Sequence, residues 1–287
     1  MPVTPGSESP AVAAVTRLAE LPGVPERVEA AREACTRLRW HQALRRRIPE
    51  AAAESRVRGA AFSAELEGAS LPTDVVRDVM RGAATWSPDP DPVERAVRGV
   101  VAATAETEAL AAVVLRSPLQ ALARLHTVST RGTVPDEALG RPRLPGEDAV
   151  ELAEVGPAPS AEVVAARLRD VVAVLLATPR LPVVVAAAVV HAELATVRPF
   201  VRGNTVVARA LERATVQAAG LDPTGVAVLE AGHAAGGTAP YVGALAAYSR
   251  GDAAGVGLWV GHCCDAVQAG ATEGMRVADA VLAGRLA

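Results

Sequence analysis

Apolar residues recur three and four positions apart along most of the chain, with no clear strand pattern and no internal repeat. Over residues 11–58 apolar and charged positions interleave at helical spacing, interrupted at 22–25 by Pro22 and Pro25. A short segment, AAFSAELEGASLP, fills 60–72, and Asp74 stands where it can cap a helix running to about Met80. SPDPDP, at 87–92, reads as a Pro-rich hinge. Long helical patterns follow over 93–114 and 118–130, and the Gly and Pro content of 132–148 makes that stretch a loop. A helix is predicted from Ser160, a plausible N-cap, to about Ala177, although Val163 occupies the position where a capping box wants Glu. Pro182 opens the next helix, which carries VVVAAAVVHAELATV into the stretch VRPFVRGNTVVAR at 197–209. Another helix runs from about Thr205 to Ala219, the Gly-rich 231–240 is a turn, and two helices fill 239–250 and 252–286. The expected fold class is all-α.

Composition sharpens this picture. Half of the 287 residues are apolar but only 2% are aromatic, so the core must be built of Ala, Val and Leu on closely approaching helices. The net charge of −3 gives no electrostatic case for nucleic acid. All 29 basic residues are Arg, which excludes a Schiff-base lysine and a phosphate-loop lysine. Cys35, Cys263 and Cys264 form no disulfide framework, so a reducing cytosol is the expected compartment. MPVTPGSESP lacks the basic and apolar regions of a signal peptide. The most apolar stretch, 171–190, is broken by Pro179, Arg180 and Pro182, which favours two buried helices over a membrane span.

The candidate chemistry lies at 197–209. Pro199 stops the preceding helix and Gly203 permits a sharp turn. The free N–H groups of the following helix offer an anion site, and Arg198, Arg202 and Arg209 add positive charge. A phosphate is therefore favoured here, and the alternative reading is a basic helix–helix corner. Elsewhere, His262-Cys263-Cys264-Asp265 has metal-ligand residue types, but four consecutive helical residues diverge and cannot converge on one ion. No metal site is expected. Glu106 with Glu108 reads as a solvated face, and the run Arg45-Arg46-Arg47 as a surface face or a helix end.

The stretch resembles the signature of the Fic family, His-Pro-Phe-x-Asp/Glu-Gly-Asn-Gly-Arg-x-x-Arg between two helices. Pro199, Phe200, Gly203, Asn204 and Arg209 match in register. VVHAELATV, with His191, resembles the family's preceding apolar helix, and LARLHTVSTRG followed by LGRPR resembles its Leu-His helix and Gly-x-x-Arg loop. The resemblance covers about 118–215. A second motif, Ser63-Ala64-Glu65-Leu66-Glu67-Gly68, is similar to the family's inhibitory Ser/Thr-x-x-x-Glu-Gly/Asn, in which the Glu reaches the last Arg of the signature and blocks productive placement of ATP. Here that pair would be Glu67 and Arg209. The resemblance implies a Fic-like helical bundle with added N- and C-terminal helices. It divides as a flexible tail at 1–10, an N-terminal helical region with the inhibitory-type motif at 11–110, the Fic-like core at 111–220, and C-terminal helices at 221–287. The activity it implies is AMP transfer from ATP to protein hydroxyls.

Four positions depart from that signature, and they are the chemical ones. Arg198 replaces the catalytic His, and a guanidinium cannot act as a general base near neutral pH. Arg202 replaces the acidic Mg²⁺ ligand and would repel a hard cation. Thr205 brings a Cβ to the place of the second Gly, and Val206 replaces the first Arg. His191 lies seven residues before Arg198, about 10 Å along a helix, and reads as a core histidine. No catalytic residue is assigned. Arg202, Gly203, Asn204, Thr205 and Arg209 are the candidate nucleotide- or anion-binding residues, Ser63, Glu67 and Gly68 the inhibitory motif, and Pro199 and Phe200 the loop packing. ATP is the candidate ligand and Mg²⁺ is disfavoured. The expected protein is an impaired or inactive Fic-like member that binds nucleotide, another anion or a protein partner. The alternatives are an active nucleotidyl- or phosphotransferase with a rewired site and a purely structural or interaction protein.

Overall fold

The computed structural model describes residues 9–285, within which there are twelve α-helices, four short 3-10 turns and no strand. They are α1 (Pro10–Leu18), α2 (Val24–Arg39), α3 (Ile48–Leu66), α4 (Thr73–Met80), α5 (Pro92–Ala111) and α6 (Pro118–Thr130). The second half holds α7 (Ala161–Ala177), α8 (Val183–Val197), α9 (Asn204–Ala218), α10 (Leu229–His233), α11 (Thr238–Ser249) and α12 (Ala253–Leu282). Prolines punctuate the first half: α1, α2, α3, α5 and α6 each carry one in the first turn, where its missing N–H costs nothing. Side-chain caps are few. Asp91 accepts from the Glu94 N–H at the start of α5, and Asp252 from the Gly255 N–H at the start of α12.

The α8–α9 hairpin is the centre of the molecule. Every residue of α9 from Asn204 to Val216 is buried, and only Val183, Val189 and Thr196 of α8 are partly exposed. α5 and α6 cover one side of the pair, α7 backs α8, and α12 runs along the other side, where α2, α10 and α11 pack on it. α3 bridges the two halves by touching α5, α10 and α12. The core is Val, Ala and Leu, as the composition requires. Trp259 is a fully buried exception, its indole N–H donating to the Ala188 carbonyl at 2.7 Å. No helix is long and apolar enough to cross a membrane.

Several sequence expectations need correction. The tail expected at 1–10 lies mostly outside the described residues, and Pro10 already belongs to α1. The helical run over 11–58 has a second break at 40–47, because Pro49 restarts the chain as α3. The segment at 60–72 is not separate: Ala60–Leu66 completes α3, so the inhibitory-type motif straddles that helix's C-terminus. Asp74 is inside the first turn of α4, whose cap position is Pro72. Ser160 does sit at the cap position of α7, but its hydroxyl bonds none of the free backbone N–H groups.

Candidate functional site

α8 ends because Arg198 takes a left-handed backbone, φ +50°, just before Pro199. Phe200 then turns inward, stacking on the His126 ring of α6 with centroids 4.1 Å apart. Gly203 has φ +82°, and a Cβ there would lie 2.6 Å from Thr130 Cγ2, so glycine is required by backbone and space together. Asn204 locks the loop: its Oδ1 accepts from the Phe200 N–H at 2.9 Å, and its Nδ2 donates to the Phe200 carbonyl at 2.9 Å. Arg143 of the Gly-x-x-Arg loop braces the outside, with its N–H on the Pro199 carbonyl at 2.8 Å and its Nε on the Arg198 carbonyl at 2.8 Å.

The N-terminus of α9 does hold an anion, but the anion belongs to the chain. The carboxylate of Glu151 accepts from the Gly203 N–H through one oxygen. Its other oxygen accepts from the Asn204 N–H at 3.0 Å and from Asn204 Nδ2 at 3.0 Å. Glu151 was not among the residues singled out from sequence. It stands in a loop 52 residues before Gly203, outside every matched motif, and no periodicity marks it. Burial pushes its carboxyl above the usual range and the nearby charge of Glu67 adds to this, while the Gly203 and Asn204 donors pull it back.

Arg198 turns its guanidinium onto the backbone. Its Nη1 donates to the Glu151 carbonyl at 2.8 Å and the Leu152 carbonyl at 3.3 Å, and its Nη2 to the Gly156 carbonyl at 2.7 Å. The residue at the family's His position thus holds down the loop that carries Glu151.

The second pair forms as the motifs require. Glu67 lies at the C-cap of α3, and Gly68 follows it with φ +72°, the left-handed turn that ends the helix. Glu67 Oε1 is 2.6 Å from Arg209 Nη2 and accepts from Thr205 Oγ1 at 2.6 Å. Arg209 Nε donates to Ser63 Oγ at 2.8 Å, and its Nη2 to the Ser63 carbonyl at 3.2 Å. Thr205, in place of a glycine, has therefore become a ligand of Glu67.

Above these residues opens a cavity of about 440 Å³. Glu67, Glu151, Arg95, Arg202 and Val206 line it. The guanidinium of Arg202 makes no ion pair among the described residues and is exposed. The cavity's two carboxylates, Glu67 and Glu151, are both bound to donors of the chain, and Arg202 adds positive charge beside them, an arrangement that does not favour Mg²⁺.

None of the five histidines lines this cavity. His126 accepts the Gly140 N–H at 2.9 Å through Nδ1, so its Nε2 carries the proton, and burial pushes the ring down to about 4. His191 is fully buried, with Nδ1 2.7 Å from Glu212 and Nε2 2.9 Å from the Tyr241 hydroxyl. His233 reaches the same Glu212 oxygen at 2.7 Å, and His262 at 3.2 Å on its other side. His41 pairs with Asp279 of α12. His191, Glu212 and His233 bring metal-ligand atoms within 4.8 Å of one another. The facing atoms of that group are nevertheless already hydrogen-bonded, in a chain from Arg209 through Tyr241, His191, Glu212 and His233 to His262. It reads as a polar core that positions Arg209. His262-Cys263-Cys264-Asp265 diverges as expected: His262 joins this chain, both cysteines are buried, and Asp265 pairs with Arg27.

Residues 116–214 match the Fic/DOC family model. No curated protein matches the sequence. Among solved structures, Fic-1 from C. elegans (residues 134 to 508 of that protein) aligns with TM-score 0.63 and 18% identity, over 96% of this chain and 76% of that one. A Fic family protein from Desulfovibrio desulfuricans G20 aligns with TM-score 0.62 and 24% identity, over 93% and 75%. These likenesses establish the all-helical Fic fold.

Proposed function

We infer, from a chain whose residues 116–214 form a Fic domain, that the cleft before α9 receives a phosphate-bearing ligand, ATP in the family's chemistry, without transferring any part of it. The observation that carries this reading is Arg198. At the position where the family places its base, the side chain is a guanidinium bound to three backbone carbonyls of one loop. A group with a pKa above about 12, and already donating, cannot take a proton from a target hydroxyl.

Retained binding has a physical basis. The Gly203 and Asn204 N–H groups point at a common acceptor, and the carboxylate of Glu151 bound there supports a preference for an oxyanion. Arg202 and Arg95 line the cavity and offer positive charge in place of a metal ion. Glu67 on Arg209 would then act as the family's inhibitory contact acts, occupying the Arg that a terminal phosphate would use.

The test is titration calorimetry with ATP, with and without Mg²⁺, on the wild type and on Glu67→Ala, together with label transfer from ATP labelled at the α- or γ-phosphate. Glu67→Ala should bind ATP without needing Mg²⁺, should melt lower than the wild type, and should label no protein. Transfer of either label would establish the rival reading, a rewired transferase. Absence of ATP binding in every variant would leave a structural or partner-binding role.

A further inference from the structure

We propose that Glu151 closes the cradle of α9 from within, as a second inhibitory contact separate from Glu67 and Arg209, and that an incoming phosphate group must displace it. The inference rests on the reading that this cleft takes a phosphate-bearing ligand. Its own basis is a juxtaposition of three features of the chain.

The first is occupancy. The Glu151 carboxylate takes three donors at the start of α9: the Gly203 N–H, the Asn204 N–H and Asn204 Nδ2. A phosphate oxygen placed against the same N–H groups would overlap it. Two acceptors cannot share donors that are already paired in a partly buried site.

The second is anchorage. The loop carrying Glu151 is held by Arg198 through the carbonyls of Glu151, Leu152 and Gly156. Arg143 holds its flanks, donating to the carbonyls of Glu147 and Pro159. Leu152 and Val155 pack against the cluster containing Tyr241 and Trp259. Leu152 has φ +51°, a left-handed backbone that a leucine adopts only where its surroundings impose it. The departure from His to Arg at position 198 therefore does two things at once. It removes the base, and it supplies the donor that seats the closing loop.

The third is independence. Glu67 approaches from α3 and binds Thr205 and Arg209. Glu151 approaches from the loop before α7 and binds Gly203 and Asn204. Both carboxylates face the same cavity but share no partner. Neither contact depends on a partner of the other, so release of Glu67 alone leaves Gly203 and Asn204 covered by Glu151.

Inorganic pyrophosphate and ATP are the probes, titrated against the wild type, Glu151→Ala, Glu151→Gln and the double variant Glu67→Ala/Glu151→Ala. Glu151→Ala should bind pyrophosphate at least tenfold more tightly than the wild type, with Glu67 intact. Glu151→Gln preserves size and should fall between them, which keeps the comparison available should the alanine variant fold poorly. Amide hydrogen exchange at Gly203 and Asn204 should quicken at least tenfold in Glu151→Ala and slow again when pyrophosphate is added. Equal affinity of wild type and Glu151→Ala, with ATP still bound by both, would overturn the closure and leave the nucleotide reading standing. Binding by no variant, the double variant included, would overturn both.

Discussion

Replacing Arg198 by His would restore the family's catalytic letter without restoring the site. The imidazole could not reach the three carbonyls that the guanidinium now holds, at 2.7 to 3.3 Å. Arg202 would still stand where the metal ligand belongs, and Glu151 would still fill the cradle. Arg198→His should therefore show no label transfer. It should also lose about 3 kcal/mol of stability, since charge-assisted hydrogen bonds to buried acceptors are worth about 1.5–3 kcal/mol each and water will recover part of them. Chemical denaturation and exchange of the amides at 151–156 measure both effects. Adenylylation by this variant would mean that position 198 alone held the reaction back. At this scale the signature was well legible: Gly203, Asn204, Phe200 and Arg209 stand where the motif puts them, and Glu67 meets Arg209 at 2.6 Å. Glu151 was not legible. A carboxylate in an irregular loop carries no periodic signal, and its partners lie 52 and 53 residues away.

The elements were read from Pro, Gly and the 3.6-residue period, and the central hairpin of α8 and α9 follows from that pattern. Of the boundaries that failed, 60–66 is Ala-rich sequence that suits a continued helix, and 40–47, WHQALRRR, holds no Gly or Pro to mark its break. What periodicity could not foresee is the polar chain joining α8, α9, α10, α11 and α12 inside the apolar core. Glu212 is its hinge. Burial pushes this carboxyl up, but His233 and His191 outweigh burial and hold it below the ordinary range. With Glu212 ionised, both facing imidazole nitrogens donate to it. Glu212→Gln can still turn its amide oxygen to the position that both imidazoles share, but it removes the charge that strengthens those two hydrogen bonds. The expected loss is about 2 kcal/mol, from two bonds that change from charge-assisted to neutral. The same change should loosen Tyr241 and hence Arg209, so any ATP affinity of Glu67→Ala should weaken when Glu212→Gln is added. A neutral Glu212→Gln would show that the chain is solvated in solution and positions nothing.

Over the whole molecule, the fold persists across 96% of the chain against a structure only 18% identical to it. Its stability must therefore come from the helical core and from the buried polar groups set within it, and these give it a definite response to acid. His126, His191 and His262 are each pushed down to about 4, chiefly by burial. In the unfolded chain they titrate near 6.5. Between those values the unfolded state takes up protons that the folded state refuses, so stability is full above about pH 6.5 and falls as the pH drops towards 4. Each group contributes at most about 1.4 kcal/mol per pH unit within that window. Below about 4.5 Glu212 acts in the same direction, because its folded value lies under its unfolded one and its contribution is lost as it protonates. Glu151 has the opposite sign, its raised value favouring the fold at lower pH, but it is one group against three. The melting temperature measured by calorimetry should therefore drop steeply between pH 6.5 and 4.5, and His262→Gln should make that slope shallower. A melting temperature that stays level over this range would mean that these imidazoles are reached by water and that the polar core does not stay closed in solution.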